Sequence, residues 1–337
     1  MTTGKKVWHY QLVHHGLWDY DPPAAPNLID ITVAGKPIKA VAQATKQAFL
    51  YDRVTGEPVW PIEEQPVPAS TVPGERASKT QPFPTKPAPF DLQGARDENL
   101  IDLTPEIHQE AIDIAKAYDR GGLYTPPSQR GTIFVPGIAG GGNWNGAAVD
   151  PETGMLYVGT VRLPFVVTVQ KPRPWEGSYD FIGETRYLSG PRGLPLLKPP
   201  FGSMVAIDMN SGEHRWRIPV GRSEAMPAVR QLGTREPLGL PGRSWALVTK
   251  TVLIVVQMGY FGPPHFEPAL GRPISDLNNR DPHLWVYDKT SGDMLAEIAL
   301  PANATGAPIT YMAGGKQYIA FPVGGVPLPE ELIAVAL

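Results

Sequence analysis

The stretch AIDMNSGEHRW, residues 206–216, decides the fold of this 337-residue chain. Apolar residues lead up to Asp208, and Gly212 follows four positions later. An aspartate at this point accepts hydrogen bonds from turn amides, and a glycine supplies the positive φ that a tight hairpin turn requires. Trp216 follows the glycine by four positions. We therefore predict a strand, a tight turn and a second strand that carries a tryptophan.

The same phrase recurs three more times along the chain. It reads LYDRVTGEPVW at 50–60, AVDPETGMLYV at 148–158 and VYDKTSGDMLA at 286–296. Each copy has an aspartate, two residues, a threonine or serine, and a glycine, and the first also has a tryptophan, Trp60, in register. One hairpin decides little, but four related hairpins are typical of the repeated antiparallel blades of a β-propeller. We predict an all-β fold of this kind.

The first residues match the second half of the phrase. Residues 3–8 read TGKKVW, so Thr3, Gly4 and Trp8 fall where the repeat has threonine, glycine and tryptophan. We expect the chain to begin inside a hairpin turn and to be the C-terminal portion of a longer protein. Propellers have about four to eight blades, so closing the ring calls for the missing N-terminal portion or a compact alternative.

Composition excludes several classes of function. The chain is 42% hydrophobic and 19% charged, its net charge is −3, and no basic block favours nucleic acid or an anionic membrane as a partner. It has no cysteine, which excludes disulfides and thiolate metal sites. Its 35 glycines and 39 prolines suit a fold with many turns. No stretch approaches the roughly 20 apolar residues of a membrane span.

The stretch 61–130 departs from the repeat, and we predict a Pro-rich and helical insertion there. Its first part, 61–90, is rich in proline and is expected to run as an extended loop. A helix is predicted over 103–120, with Thr104 as N-cap and Pro105 at the first helical position. Its apolar face comprises Ile107, Ala111, Ile114, Ala115 and Tyr118, and it should end at Gly121 and Gly122.

The stretch HHGLWDYD, residues 14–21, concentrates groups that could do chemistry. Asp19 and Asp21 are two positions apart, so in an extended segment both carboxylates point the same way and could converge on a cation or a substrate hydroxyl. Alternatively, they bracket a turn into the prolines that follow. His14 and His15 are adjacent and would face opposite sides of a strand, which argues against a zinc site.

Lys46 is a second candidate. It lies within AVAQATKQAFLYD, residues 40–52, which reads as an apolar strand. A lysine inside such a strand needs a partner or a function. The alternative is a lysine that protects the edge of a sheet from aggregation.

The loop GIAGGGNWNGAAVD, residues 137–150, is a third candidate. Its glycines permit close backbone approach to a flat ligand, and Asn143 and Trp144 offer an amide and an aromatic face. It lacks the glycine and lysine spacing of a phosphate-binding loop. Taken alone, the loop is better explained as a turn of the propeller.

Seven phrases follow the order of a known family over nearly the whole chain. They are WHYQLVHHGLWDYDPPAAPNLIDI, AVAQATKQAFLYDRVTGEPVWPIEE, TQPFPTKPAPF, LYTPPSQRGTIFVPG, GGNWNGAAVDPETGMLYVGT, VAIDMNSGEHRWRIPVG and TGAPITYMAGGKQYIAF. Together they resemble the C-terminal half of the pyrroloquinoline quinone (PQQ) dependent dehydrogenases, and most of all the glucose dehydrogenase branch. The resemblance implies part of an eight-bladed propeller of four-stranded blades, in which tryptophans of the repeat pack between blades.

The resemblance also implies roles for individual residues. Asp19 matches the family's catalytic base, and Lys46 matches the basic residue that hydrogen-bonds the quinone oxygens. Asn143 and Trp144 match the phrase next to the cofactor, and Asp19 and Asp21 lie on the metal side of the site. The metal implied is Ca²⁺, with Mg²⁺ or a lanthanide as alternatives.

The implied reaction is the oxidation of a sugar or alcohol hydroxyl by hydride transfer to PQQ. Its partners would be a quinone or cytochrome electron acceptor and the missing N-terminal half, which holds the family's main metal ligands, and its location would be the periplasm. We expect the isolated chain to bind PQQ weakly and to be inactive. One departure is Gly16, which stands where the family has a carboxylate. The alternative function is a non-catalytic propeller scaffold of the outer-membrane assembly type.

Overall fold

The computed structural model describes residues 3–234, 236–260, 265–267, 272–274, 282–325 and 328–336. Four antiparallel sheets dominate it, and we number them 1 to 4 along the chain. Sheet 1 contains β1 (Asn27–Val33), β2 (Lys36–Ala44) and β3 (Ala48–Asp52). Further strands and two α-helices lie between these sheets.

The other three sheets and the intervening elements complete the described chain. Between sheets 1 and 2 lie β4 (Ile62–Pro66), β5 (Thr80–Pro84), α1 (Pro105–Ala115) and β6 (Thr132–Phe134). Sheet 2 contains β7 (Ala147–Asp150), β8 (Met155–Val161), β11 (Gly202–Asp208) and β12 (Glu213–Pro219), and the excursion between β8 and β11 forms β9 (Phe165–Gln170) and β10 (Ile182–Tyr187). The helix α2 (Pro227–Leu232) precedes sheet 3, which contains β13 (Ser244–Val248), β14 (Val252–Gln257), β17 (His283–Asp288) and β18 (Met294–Ala299). The remaining strands are β15 (His265–Glu267), β16 (Arg272–Ile274) and, in sheet 4, β19 (Ile309–Ala313), β20 (Lys316–Gly325) and β21 (Leu328–Ala336).

The turns of all four predicted hairpins are present with the expected chemistry, although the strand predicted after the first turn, at 50–60, is reduced to a single bridge between Tyr51 and Pro58. In the turn at 208–213, Asp208 Oδ1 accepts a hydrogen bond from the Asn210 amide at 2.9 Å, and Gly212 has a φ of +73°. The other three aspartates also accept from turn amides two residues on, and the other three glycines also have positive φ. The local sequence was therefore sufficient to predict these turns.

The four hairpins nevertheless mark three sheets, not four. The turn at Asp150 joins β7 to β8, the turn at Asp208 joins β11 to β12, and all four strands belong to sheet 2 in the order β7-β8-β11-β12. The turn sequence suits any tight antiparallel connection, so it does not specify the position of that connection within a sheet.

The tryptophan of one hairpin packs on the glycine of the next sheet. A Cβ atom on Gly292 would lie 3.0 Å from Trp216 Cδ2 and would crowd the indole. The same contact joins Trp8 to Gly56 and Trp60 to Gly212. These contacts join successive sheets, as the family resemblance implied for the tryptophans of the repeat.

Apolar side chains fill the space between neighbouring sheets, and each pair of sheets has its own core. Between sheets 1 and 2 the core includes Ile29, Ile31, Leu50, Val158 and Val205. Between sheets 2 and 3 it includes Tyr157, Met204, Leu253, Val255 and Trp285, and between sheets 3 and 4 it includes Trp245, Ile254, Ile319 and Phe321. The sheets therefore stack face to face in chain order.

The helix and the Pro-rich stretch differ in detail from the predictions. The helix α1 spans Pro105–Ala115, and Thr104 Oγ1 accepts from the Ile107 amide as the predicted N-cap. It ends earlier than predicted because Tyr118 bonds to the Ala115 carbonyl in a tighter turn, after which Asp119 bridges to Thr132. Part of 61–90 pairs as β4 and β5 instead of forming only a loop. No helix of the described residues is long and apolar enough to cross a membrane.

Candidate functional site

Two buried aromatic residues anchor the segment that carries Asp19 and Asp21. Trp18 is 1% exposed and its indole donates to the Thr125 carbonyl at 2.8 Å, while Tyr20 is 3% exposed. The two aspartates lie on either side of Tyr20 and are exposed. The buried Trp18 and Tyr20 thus anchor the segment while both carboxylates stay at the surface.

Asp19 and Asp21 line one cavity, although not for the reason given by the sequence pattern. Asp19 has a φ of +59°, so the segment is not a regular extended strand and the alternation argument does not apply to it. The cavity nevertheless has both aspartates in its wall and a volume of about 390 Å³. Its other lining residues are Tyr10, Gln11, Leu12, Val13, Gly16, Tyr20 and Pro22.

Lys46 is buried in the tight turn between β2 and β3 and is 2% exposed. The prediction that it lies inside a strand is wrong, because Thr45 bonds back to the Gln47 carbonyl and interrupts the ladder at this point. Its Nζ donates to the carbonyls of Gly140, at 2.7 Å, and Ile138, at 2.9 Å. Burial of this kind excludes the edge-protecting interpretation.

The amine of Lys46 is buried away from water, and this changes its pKa. Burial lowers the pKa of Lys46 to about 8, and the nearby carboxylates of Asp19, Asp21 and Asp91 act in the opposite direction. Arg243, like burial, lowers this pKa. Lys46 is therefore close enough to both aspartates of the cavity to interact with them electrostatically.

The glycine loop packs against the turn that carries Lys46. A Cβ atom on Gly140 would lie 1.7 Å from the Pro136 carbonyl oxygen, and one on Gly142 would lie 2.7 Å from the Thr45 carbonyl oxygen. A side chain at Gly142 would therefore push the loop away from the Lys46 turn, whereas one at Gly140 would clash within the loop itself. These glycines, predicted to permit close approach of a ligand, allow close approach of the protein's own backbone.

Asn143 lies with Lys46, and Trp144 lies further out. The Asn143 side-chain amide donates to the Ile138 carbonyl at 3.1 Å, so Asn143 and Lys46 share this acceptor. Trp144 is 43% exposed and packs on Trp245, with ring centroids 5.3 Å apart. The structure thus brings together Lys46 and Asn143, with Asp19 and Asp21 at the neighbouring cavity.

Two further residues belong to this region and were missed from the sequence. The Tyr20 phenol oxygen is buried and has no hydrogen-bond partner among the described residues, and Lys46 Nζ lies 5.8 Å from the centre of its ring. Arg243 lies 4.8 Å above the Trp144 ring. Tyr20 stands within WDYD and could have been included, but nothing around Arg243 in the sequence distinguishes it from a surface arginine.

The described residues contain no group of three or more histidine, aspartate and glutamate side chains arranged to hold a metal ion. Asp19 and Asp21 could therefore supply only part of a coordination shell. His14 and His15 contact two different carboxylates, Glu64 and Glu75, at 2.9 and 3.1 Å.

Comparison with known proteins identifies the family. Residues 1–319 match the profile of the PQQ family, described as the glucose/ethanol/alcohol dehydrogenase β-propeller domain. The chain belongs to this PQQ family. Its stacked antiparallel sheets and tryptophan contacts are accordingly those of a β-propeller.

The curated relatives include enzymes of the glucose dehydrogenase branch. The quinoprotein glucose dehydrogenase of Escherichia coli is 31% identical, and the alignment covers 96% of this chain and 41% of that protein. The quinoprotein glucose dehydrogenase A of Acinetobacter calcoaceticus is 30% identical over all of this chain and 43% of its own length. The quinate/shikimate dehydrogenase of Acinetobacter baylyi is 29% identical over 96% of this chain. The chain thus spans less than half the length of these relatives.

Solved structures support the propeller fold. The quinohemoprotein alcohol dehydrogenase of Comamonas testosteroni superposes with a TM-score of 0.53 at 20% identity, covering 96% of this chain and 37% of that one. A europium-containing methanol dehydrogenase gives a TM-score of 0.55 at 18% identity, over 94% of this chain and 42% of that one. The number of blades in a closed ring stays a prediction, as do the bounds of the insertion at 61–130.

Proposed function

We propose that this chain supplies one side of the active site of a PQQ-dependent dehydrogenase that oxidises a sugar or alcohol hydroxyl. The observation that carries the proposal is the buried cation of Lys46, which lies near the cavity lined by Asp19 and Asp21. Burying an ammonium group costs free energy that a purely structural turn does not need. A site for an anionic quinone gives that charge a function.

The donor set fits the cofactor. PQQ, when bound, supplies the acceptor for the hydride. Lys46 would hold a quinone oxygen through its charged amine, and Asn143 would offer its side-chain amide beside it. The cavity of about 390 Å³ lies within the range of small-molecule sites. The phenol oxygen of Tyr20, which has no hydrogen-bond partner within the described parts of the chain, is a further polar group close to Lys46.

Asp19 is the proposed general base. A carboxylate is ionised at neutral pH and can accept the hydroxyl proton of the substrate. Its exposure at the wall of the cavity leaves it accessible to such a hydroxyl. Asp19 and Asp21 together would offer carboxylate oxygens to Ca²⁺, or to Mg²⁺ or a lanthanide, with the remaining ligands coming from outside the described cluster.

The broader setting is also part of the proposal. A quinone or cytochrome would accept the electrons, an N-terminal portion of the propeller would complete the site, and the location would be the periplasm. The length of the relatives supports the need for such a portion, since the chain aligns with 41% to 43% of the two glucose dehydrogenases.

The test measures reduction of a redox dye by the full-length polypeptide that contains this sequence, after it has been loaded with PQQ and Ca²⁺. We expect reduction of the dye with at least one of a panel of aldoses, polyols, alcohols and quinate, and loss of turnover in Asp19→Asn with PQQ still bound. Full activity in Asp19→Asn would overturn the assignment of the base. Absence of any PQQ absorbance change on titration would favour the scaffold function instead.

A further inference from the structure

Arg243 lies over the exposed ring of Trp144. The carbon at the centre of its guanidinium is 4.8 Å from the centre of the ring, which is within the range of a cation–π contact. Trp144 is 43% exposed and packs on Trp245, so its ring is held in place while part of it stays in contact with solvent. Arg243 itself is partly buried. The cation and the ring thus form one surface that a ligand can reach.

Hydrogen bonds on both sides of this contact fix its position. The Arg243 carbonyl accepts from the Met258 amide at 2.9 Å. The next residue, Ser244, begins β13, and its carbonyl accepts from the Asn145 side chain at 2.8 Å. Asn145 directly follows Trp144 in the glycine loop. The arginine and the tryptophan are therefore held together through their neighbours as well as through the ring contact.

The same loop connects this contact to Lys46. The Asn143 side-chain oxygen accepts from the Trp144 amide at 2.8 Å. The Asn143 side-chain amide donates to the Ile138 carbonyl, which also accepts from Lys46 Nζ. Lys46 and Arg243 therefore lie at the two ends of one short chain of contacts.

Lys46 and Arg243 place two positive charges in one region. Burial lowers the pKa of Arg243, yet a guanidinium in a protein stays charged. Its charge lowers the pKa of Lys46, so the two cations are close enough to repel each other. The carboxylates of Asp19, Asp21 and Asp91 act on Lys46 in the opposite direction. A negative charge that a ligand brings to this region would be stabilised by both cations.

A carboxylate is the anion that suits this arrangement. The planar guanidinium fork pairs with a carboxylate through two parallel hydrogen bonds, and a flat ligand that bears the carboxylate can stack on the Trp144 ring. We propose that Arg243 binds a carboxylate group of a ligand in the site that Lys46 lines. The inference rests on the proposed function. Two ligands of that site can supply the group: PQQ, which carries carboxylates, and an acidic hydroxy compound as substrate.

Titration with PQQ and with its trimethyl ester, followed by tryptophan fluorescence, tests the cofactor as the source. The ester keeps the quinone and the ring system but has no carboxylate charge. If the carboxylate belongs to PQQ, Arg243→Gln should bind PQQ at least about tenfold more weakly than the wild-type 337-residue chain, and both should bind the ester equally. Arg173→Gln is the matched control, because Arg173 lies over another exposed tryptophan, Trp175. It should bind PQQ like the wild type.

Turnover by the full-length polypeptide tests the substrate as the source. Quinate and galacturonate are each compared with their uncharged methyl esters in protein saturated with PQQ. If the carboxylate belongs to the substrate, Arg243→Gln should raise KM for an acid that is turned over at least about tenfold. It should leave KM for the ester and the affinity for PQQ unchanged, and Arg173→Gln should change none of these values.

Arg243→Lys separates loss of the charge from damage to the fold. It keeps a positive charge at this position and should lose less affinity than Arg243→Gln in whichever experiment responds. Equal losses in the two variants would contradict a role of the charge. Normal PQQ binding by the wild type, with no effect of Arg243→Gln in either experiment, would overturn this inference alone. Absence of PQQ binding by the wild type would contradict the proposed function itself, and this inference with it.

Discussion

Lys46 is the residue on which the proposed chemistry most depends. Its side chain is buried by the glycine loop, and its amine is oriented by the Gly140 and Ile138 carbonyls. From the sequence it could be singled out as an unusual lysine among apolar residues. Its location in a turn could not be foreseen, because the acceptors that orient it lie more than 90 positions further along the chain.

The low pKa of Lys46 makes a prediction about the pH dependence of PQQ binding. Burial holds this pKa at about 8 in the free protein, so the amine is charged below that pH and progressively neutral above it. An anionic quinone favours the charged form, and the affinity should therefore fall as pH rises above 8, approaching tenfold per pH unit. Fluorescence titration from pH 6.5 to 9.5 measures this. Lys46→Arg, which stays charged throughout, should lose the fall; an equal fall in that variant would assign it to another group.

At the scale of elements, the hairpins were predictable and their assembly was not. Aspartate, threonine or serine, and glycine act within five residues, so the sequence shows their turns directly. Two hairpins share sheet 2 because the chain leaves this sheet after β8 and returns to it at β11. The sequences of the turns carry no information about this return. The early end of α1 likewise depends on the bridge from Asp119 to Thr132.

The contact between Trp216 and Gly292 should stabilise the join between sheets 2 and 3. Gly292→Ala places a methyl group 3.0 Å from the indole at a φ of +80° and should lower the free energy of unfolding by about 2–4 kcal/mol. Gly315→Ala is the matched control, because Gly315 has a φ of +78° and open space around it. It should cost about 1–2 kcal/mol for the backbone alone. Equal losses in urea unfolding would show that the indole contributes nothing.

At the scale of the whole molecule, a buried ion pair joins sheets 2 and 3. Lys289 Nζ lies 2.7 Å from Asp150 Oδ2, and their side chains are 11% and 4% exposed. The two residues belong to turns of different sheets, so no local pattern in the sequence could pair them. The Lys289 carbonyl also accepts from the Tyr157 phenol and the Trp216 indole.

Removal of Lys289 should therefore loosen the stack. Lys289→Met leaves the buried Asp150 carboxylate without its cation and should cost about 3–5 kcal/mol in the free energy of unfolding. Arg215→Met provides the comparison, since Arg215 pairs with Asp208 in the same region but its side chain is 58% exposed. That variant should cost less than about 1 kcal/mol. If both variants unfold at the same urea concentration, the Lys289–Asp150 ion pair does not stabilise the contact between sheets 2 and 3.

The central claim is that the Lys46 turn and the cavity beside it form part of a PQQ site. The most direct measurement is an absorbance titration of the 337-residue chain with PQQ at pH 7, on wild type, Lys46→Met and the exposed-lysine control Lys36→Met. Wild type and Lys36→Met should bind saturably with equal dissociation constants. Lys46→Met should bind at least about tenfold more weakly, because a hydrogen bond from a charged donor is lost. Equal affinity of Lys46→Met and wild type, or no binding by any of them, would contradict the account.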